Sequence, residues 1–318
     1  MGYVAENVPS PAYINQHIAL VRFGSAEIDA KFASYFLASE TTQRLFWALT
    51  DSGAKAGMSL VTVRKIKIAV PPTKAEQEAI AKALSDADAL IESLEQLTAK
   101  KRNLKRGTVQ QLVSGKKRLR PFGSDPRLKR SEVGIIPNDW EEHRIGTLCE
   151  IAAGGDLARQ DFSPTLSSRH RFPVYSNAHS RDGLYGFSQA YQYDADKITI
   201  TARGDVGKAV YRTSKFSAIG RLLVLSKKVP SDLRFVAEYI NNFVDFALES
   251  TGVPQLTAPQ LSKYRVAVPP TTAEQTAIGE ILADIDDEIA ALDVKLAKAR
   301  QVKQGMMQNL LTGKVRLI

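Results

Sequence analysis

Two long stretches of the chain carry apolar residues at spacings of three and four. The first has Ile80, Leu84, Ala87, Ile91 and Leu94. The second has Ile278, Leu282, Ile285, Ile289, Leu292 and Leu296. This spacing is typical of a coiled-coil seam, although one side of a helical bundle core gives the same pattern for a single helix. Because two matched seams occur in one chain, we predict that the two helices pack together antiparallel.

The ends of both predicted helices carry terminal signals. Thr-x-x-Glu sequences begin at Thr73 and Thr271 and fit the capping box of a helix N-terminus. Gly115 and Gly313 stand where helix C-termini favour glycine. The helices are therefore predicted over residues 73–114 and 271–312.

The helices belong to an internal repeat. Residues 71–119 and 269–317 align without a gap at an offset of 198, with 24 identities in 49 positions. Alternating apolar residues before each Pro-Pro pair predict strands at 66–70 and 264–268. A period of this length is too long for a solenoid and indicates a duplicated domain.

The segments outside the helices predict globular domains. Residues 140–270 mix strand-like runs (KITITA, RLLVLS) with one helix-like run (LRFVAEYINNFVDFALES), which indicates an α+β domain. Residues 1–72 repeat only its second half and lack about 65 residues of the counterpart. The Pro-, Gly- and charge-rich segment 121–139 is interpreted as a linker.

Composition and charge narrow the class of protein. The 318 residues carry a net charge of +9, which suits an acidic partner such as nucleic acid. A single cysteine excludes a disulfide framework and a Cys-rich zinc site. No apolar run is long enough for a membrane span and no secretory signal is visible, so a cytoplasmic protein without membrane association is expected.

The repeated segments resemble a known family. AVPPTKAEQEAI, AVPPTTAEQTAI, GIIPNDWEEHRIGTL (134–148) and LLTGKVRL are similar to sequences of the specificity (S) subunit of type I restriction-modification systems. The likeness covers essentially the whole chain. The chain departs from the family pattern at its start, where the first copy has no counterpart of GIIPNDW.

The resemblance implies an α+β fold with two target recognition domains, the first one partial, separated by two long helices that form an antiparallel coiled coil. The expected boundaries are a partial recognition domain 1–72, helical spacer 73–120, linker 121–139, second recognition domain 140–270 and second spacer 271–318. The implied function is recognition of a bipartite double-stranded DNA site. The alternative is a truncated or decayed paralogue that acts as a scaffold for methyltransferase subunits without specific DNA binding.

The resemblance also implies partners. Two methyltransferase (M) subunits would dock on the chain, and restriction (R) subunits would join through them. The chain itself is expected to be non-catalytic and to bind no cofactor or metal, with S-adenosylmethionine on the partner methyltransferase. The residues agree, since GDVGKAV (204–210) lacks the P-loop pattern and is interpreted as a turn between strands.

Candidate DNA contacts are side chains that match base edges or phosphates. In two loop-like stretches of the second domain they are Arg169, Arg171, Asn177, His179, Ser180, Arg181, Arg203, Lys208 and Arg212. Candidates for contact with phosphate or with a partner subunit are Lys100, Lys101, Arg102, Lys105, Arg106, Lys116, Lys117 and Arg118. A solubilising helix end is the alternative for the second group.

Overall fold

The computed structural model divides into two compact units. The first comprises Met1–Lys100 with Ile289–Ile318, and the second comprises Lys101–Glu288. The structure describes residues 2–4, 8–9, 11–15, 17–23, 27–50, 57–123, 127–178, 180–246 and 255–317. The predicted α+β fold class with long helices is confirmed.

The secondary structure comprises helices and mostly short strands. The helices are α1 (Ala30–Ala38), α2 (Glu40–Leu49), α3 (Leu60–Arg64), α4 (Lys74–Leu112), α5 (Ile145–Leu148), α6 (Leu233–Phe243), α7 (Ala258–Leu261) and α8 (Thr272–Leu310). The strands are β1 (Leu128–Ser131), β2 (Gly134–Pro137), β3 (Glu141–Arg144), β4 (Cys149–Ala153), β5 (Phe162–Ser163), β6 (Phe172–Tyr175), β7 (Leu184–Ser188), β8 (Lys197–Thr201), β9 (Ala209–Arg212), β10 (Ser217–Ala218), β11 (Leu222–Lys227) and β12 (Arg265–Val268).

The second unit is built around an antiparallel sheet of order β4-β11-β8-β9. Successive side chains of a strand point to opposite faces, and β11 is apolar on both. Leu223 and Leu225 join the main core, whereas Leu222 and Val224 pack with Phe216 on the other face. A second sheet of order β10-β6-β7-β5 and two-stranded pairs β12-β3 and β1-β2 complete the unit.

Helix α6 forms over the helix-like run because its start is capped and one face is apolar. Asp232 accepts a hydrogen bond from the backbone N–H of Phe235 at 2.9 Å, and Leu233, Val236 and Ile240 are buried in the main core. The helix ends at Phe243, earlier than the predicted run, and residues 247–254 lie outside the described residues.

Helices α4 and α8 confirm the predicted long helices to within two residues. Within each unit the residue numbers of paired side chains rise on one helix and fall on the other, so the helices run antiparallel. The pairs are Asp88–Lys303 and Glu95–Arg300 in the first unit, and Lys101–Glu288 and Lys105–Asp286 in the second.

The predicted seam residues differ in burial. Ile80, Leu84, Ile278 and Leu282 are fully buried, and they pack in cores that include the short helices α1 and α6. Ala87, Ile91, Leu94, Ile285, Ile289, Leu292 and Leu296 are half-buried. The apolar spacing at the start of each helix therefore serves a globular core as well as the helix pair.

Two predictions from the sequence differ from the structure. Residues 66–70 form no strand, although their counterpart 265–268 does, because only the latter has a paired strand, β3. The segment interpreted as a linker contains the antiparallel pair β1-β2. In the first unit, the described residues 17–23, which resemble strand β11 in sequence, also form no strand.

Candidate nucleic-acid interface

Two loops of the second unit meet and place several predicted DNA-contact residues together. We call the described residues 176–178 and 180–183, which follow β6, and 202–208, which join β8 to β9, the two-loop cluster. The Asn177 side-chain amide donates a hydrogen bond to the Arg203 carbonyl oxygen at 2.9 Å. The Lys208 ammonium donates to the Asp182 carboxylate at 2.9 Å. These bonds join the two loops. Of the run 204–210 that was interpreted as a turn between strands, residues 204–208 connect β8 to β9, whereas Ala209 and Val210 belong to β9.

Arg212 is a buried residue that contacts the two-loop cluster through Asp182. Its guanidinium donates to the Thr199 hydroxyl at 2.9 Å and to the Asp182 carbonyl oxygen at 2.7 Å, and it lies 3.5 Å from the Tyr175 ring centroid. Burial lowers the pKa of Arg212. Although Arg212 was selected as a base contact from its sequence position, these contacts favour a positioning role for it.

The backbone of the first loop is held in an unusual conformation. Arg181 and Asp182 both have φ near 49°, in the left-handed region that non-glycine residues seldom adopt. Gly183 follows with φ 84°, and a Cβ there would lie 2.3 Å from the Ser176 carbonyl oxygen. Such conformations cost on the order of 1–3 kcal/mol and concentrate at functional sites.

The outer surface of the cluster is charged and polar. Ser180, Arg181, Arg203 and Lys208 are exposed, as are the acidic Asp182 and Asp205. Arginine is suited to the O6 and N7 acceptors of guanine, and lysine to phosphate or guanine. The arrangement can therefore present donors to a DNA groove from a rigid base.

Other predicted contacts lie elsewhere. Arg169, which donates to the Gln189 side chain at 3.0 Å, and Arg171, which lies over the Phe172 ring, precede β6 and are at its opposite end from the cluster. His179 lies outside the described residues. All the predicted base contacts stay predictions.

The basic residues near the end of α4 divide into two groups. Lys101, Lys105 and Arg118 form ion pairs inside the second unit. Burial opposes the charge of Lys105, but hydrogen bonds and charge from Asp286 and Glu238 raise its pKa. The remaining candidates, Lys100, Arg102, Arg106, Lys116 and Lys117, are exposed. The side chains of this second group are therefore more accessible to a phosphate or to a partner subunit.

Two buried glutamates have a role that the sequence did not reveal. Each Thr cap forms, with the Glu76 and Glu274 backbone N–H donating to Thr73 and Thr271 at 3.4 and 3.3 Å. The glutamate side chains do not complete a capping box; Glu274 accepts from Arg118 at 2.6 and 2.7 Å, and Glu76 accepts from Arg316. Glu76 and Glu274 are 198 positions apart, and so are Arg118 and Arg316. The sequence repeat therefore contained a signal for these two equivalent ion pairs.

The Glu76–Arg316 pair predicts a pH dependence. The hydrogen bond from Arg316 lowers the pKa of Glu76 below its ordinary value of 4.5. A depressed folded-state pKa contributes stability above pH 4.5 that is lost as the pH falls through the folded value. We expect Arg316→Gln to weaken the fall of the urea midpoint below pH 4.5, measured by circular dichroism from pH 6 to pH 3. Lys298→Gln, which removes an exposed cation of α8, is the control and should leave the profile as it is.

Among the described residues, no group of three or more His, Cys, Asp or Glu could hold a metal ion. Burial raises the pKa of the Cys149 thiol to about 12, so this thiol stays protonated and unreactive. In the same part of the chain, no helix has the length and apolar character that crossing a membrane requires.

Comparison with known proteins gives consistent matches. The profile described as the type I restriction modification DNA specificity domain matches residues 2–101 and 137–299. A Methanocaldococcus jannaschii protein named as a type I restriction enzyme MjaX specificity subunit is 26% identical over 334 aligned residues, which cover 100% of this chain and 76% of that protein. The MjaVIII specificity subunit of the same organism is 24% identical, covering 79% of this chain and 63% of its own length.

A solved structure shares the fold. The type I restriction-modification S subunit from M. genitalium superposes with a TM-score of 0.67 at 19% identity, covering 89% of this chain and 73% of that one. At this identity the likeness establishes the fold alone.

Proposed function

Because the chain belongs to the type I restriction-modification DNA specificity family, we propose that it recognises one half of a bipartite double-stranded DNA site through the two-loop cluster. The observation that carries this proposal is that two hydrogen bonds, Asn177–Arg203 and Lys208–Asp182, join the loops on which Arg181, Arg203 and Lys208 are exposed. Arg181 and Arg203 are the residues that we assign to base edges, while Lys208 and Ser180 position the duplex through phosphates. Residues 1–72 would recognise the other half-site.

The paired helices would serve as the docking surface for two methyltransferase subunits, with restriction subunits joining through them. In this proposal the chain contributes no catalytic group. Methylation of adenine, with S-adenosylmethionine as the methyl donor, belongs to the partner subunits. The exposed basic residues near the end of α4 are available either to phosphates or to an acidic face of a partner.

The proposal is tested by mapping methylated bases in a host that expresses a type I methyltransferase subunit able to bind this chain, with and without the chain. A split, asymmetric methylated motif that appears only with the chain is the expected result. A motif built from one half-site repeated symmetrically would restrict recognition to the second unit. The absence of any chain-dependent motif, with the chain shown to be folded and bound to the methyltransferase, would refute the DNA-recognition role.

The two exposed arginines give a sharper prediction. Arg181→Ala and Arg203→Ala should each weaken specific binding by about 1–3 kcal/mol and relax discrimination at one base position, since each removes one base-edge contact. Binding of the assembled complex to its methylated-motif duplex, measured against competitor DNA, provides the test. Lys298→Ala, an exposed cation of α8, is the matched control and should leave discrimination unchanged. Equal losses on specific and random duplexes would show that the arginines contact only phosphates.

The second candidate function is a scaffold that binds methyltransferase subunits without specific DNA binding. It is favoured by the first unit, in whose described residues helices but no named strands occur. The two functions separate in a competition experiment, because charge attraction alone is lost to competitor DNA and to salt whereas specific binding persists. Methyltransferase binding without any persistent DNA complex would favour the scaffold.

A further inference from the structure

The two units share a common set of internal contacts. In the first, Gln77 accepts a hydrogen bond from the Asp29 N–H at 2.9 Å and donates to the Pro71 carbonyl at 3.1 Å. In the second, Gln275 accepts from the Asp232 N–H at 2.9 Å and donates to the Pro269 carbonyl at 3.0 Å. The Arg316–Glu76 and Arg118–Glu274 pairs are likewise equivalent. Because these contacts are equivalent, each position of the first unit can be compared with the position 198 residues away in the second.

Among the segments that occur in the second unit alone, residues 134–144 pack directly on this framework. Strand β3 pairs with β12 along its whole length, from Arg265↔Arg144 to Val268↔Glu141. Trp140 is fully buried, with its ring 5.8 Å from that of Phe235. Pro137 and Trp140 cover Gly115 so closely that a Cβ on this glycine would lie 2.5 Å from the proline ring. Asp139 adds a second carboxylate to Arg118 at 2.7 Å.

The equivalent positions in the first unit are uncovered. We call residues 66–71 together with 313–317 the open edge. Val70 is 41% exposed, whereas its counterpart Val268 is 5% exposed. Ala69 is exposed although Ala267 is buried, and a Cβ on Gly313 would meet nothing within 4 Å. The Arg316 side chain is 51% exposed, against 10% for Arg118.

We propose that the open edge binds a further polypeptide segment with the chemistry of residues 134–144. The segment would add a strand beside residues 67–70, place a proline and a tryptophan over Gly313, and bring a carboxylate to Arg316. Strand addition supplies main-chain hydrogen bonds, while the aromatic and acidic side chains supply specificity. The template for this occupant is the second unit, where each of these contacts is already made.

The occupant is a different polypeptide rather than a second copy of this chain. Each copy has one 134–144 segment, which pairs with β12 and packs through Trp140 in its own second unit, and one open edge. An exchange between two copies would fill one edge by emptying another, so it gains no contact. We therefore assign the open edge to a partner polypeptide that carries its own strand–Pro–x–x–Trp sequence.

The test uses the full chain and a synthetic peptide of residues 127–148 as the probe. Saturable binding at one peptide per chain, measured by calorimetry, is expected, together with increased hydrogen-exchange protection of residues 64–71 and 310–317. Val70→Lys on the chain, or Trp140→Ala in the peptide, should raise the dissociation constant at least tenfold. Val294→Lys changes an exposed valine of α8 and is the matched control.

Four results would overturn the proposal. One is the absence of saturable binding to a chain whose circular dichroism is native. Another is binding that both Val70→Lys and the Trp140→Ala peptide leave unchanged. The third is a loss of protection in the chain's own residues 134–148 on peptide addition, which would show exchange into the second unit. Self-association of the chain through residues 64–71 would likewise contradict the assignment of a different polypeptide.

Discussion

Replacement of Arg118 by alanine is expected to destabilise the second unit by about 3–5 kcal/mol, because it leaves the buried carboxylate of Glu274 without its partner. Glu274 is only 1% exposed, and both guanidinium edges of Arg118 are used, one on Glu274 and one on Asp139. The two carboxylates raise the pKa of Arg118 against the effect of its burial, so the arginine is charged at every accessible pH. Urea unfolding followed by circular dichroism measures the loss, and hydrogen exchange of residues 134–150 locates it.

The duplication supplies the control for this substitution. Arg316→Ala removes the equivalent arginine of the first unit, but that side chain is half exposed and water replaces part of the lost bond. Its effect should be clearly smaller. In the double variant Arg118→Met, Glu274→Met, an apolar pair replaces the ion pair and much of the loss should be recovered. A double variant as unstable as Arg118→Ala would show that the loss of the ion pair itself, and not the burial of an unpaired Glu274 carboxylate, accounts for the destabilisation.

The parts of the fold that the sequence predicts best are those governed by local periodicity. The spacing of apolar residues predicted α4 and α8, and the Thr-x-x-Glu and glycine signals placed their ends to within two residues. The strand-like runs KITITA and RLLVLS likewise correspond to β8 and β11. Residues 66–70 show the limit of this reasoning, because the same alternating pattern as in β12 forms no strand without a paired neighbour.

The candidate site could be predicted only in part. Arg181 and Arg203 were selected because arginine is a residue type that contacts base edges. The loops that carry them are joined by the Asn177–Arg203 hydrogen bond, which links positions 26 residues apart. Burial separates Arg212 from the other candidates, and burial is a property of the assembled sheets rather than of residue type. The Arg118–Glu274 hydrogen bond joins residues 156 positions apart, so no local sequence pattern could predict it.

Substitution of Trp140 by alanine is expected to cost about 3–5 kcal/mol, since it empties the volume between Gly115, Phe235 and the Arg118 guanidinium. Trp47→Ala is the matched control, because that indole is 78% exposed and its loss should change the free energy of unfolding by no more than about 0.5 kcal/mol.

The Trp140→Phe variant separates packing from hydrogen bonding. The Trp140 indole N–H is buried and bonds to no described residue, so phenylalanine gives up some apolar volume but also removes an unpaired donor whose burial costs about 1–3 kcal/mol. We therefore expect Trp140→Phe to be much closer to the wild type than Trp140→Ala in urea unfolding at neutral pH. A phenylalanine variant as unstable as the alanine variant would mean that the indole N–H has a partner, such as a buried water, and that this bond, more than ring packing, holds residues 134–144 on the second unit.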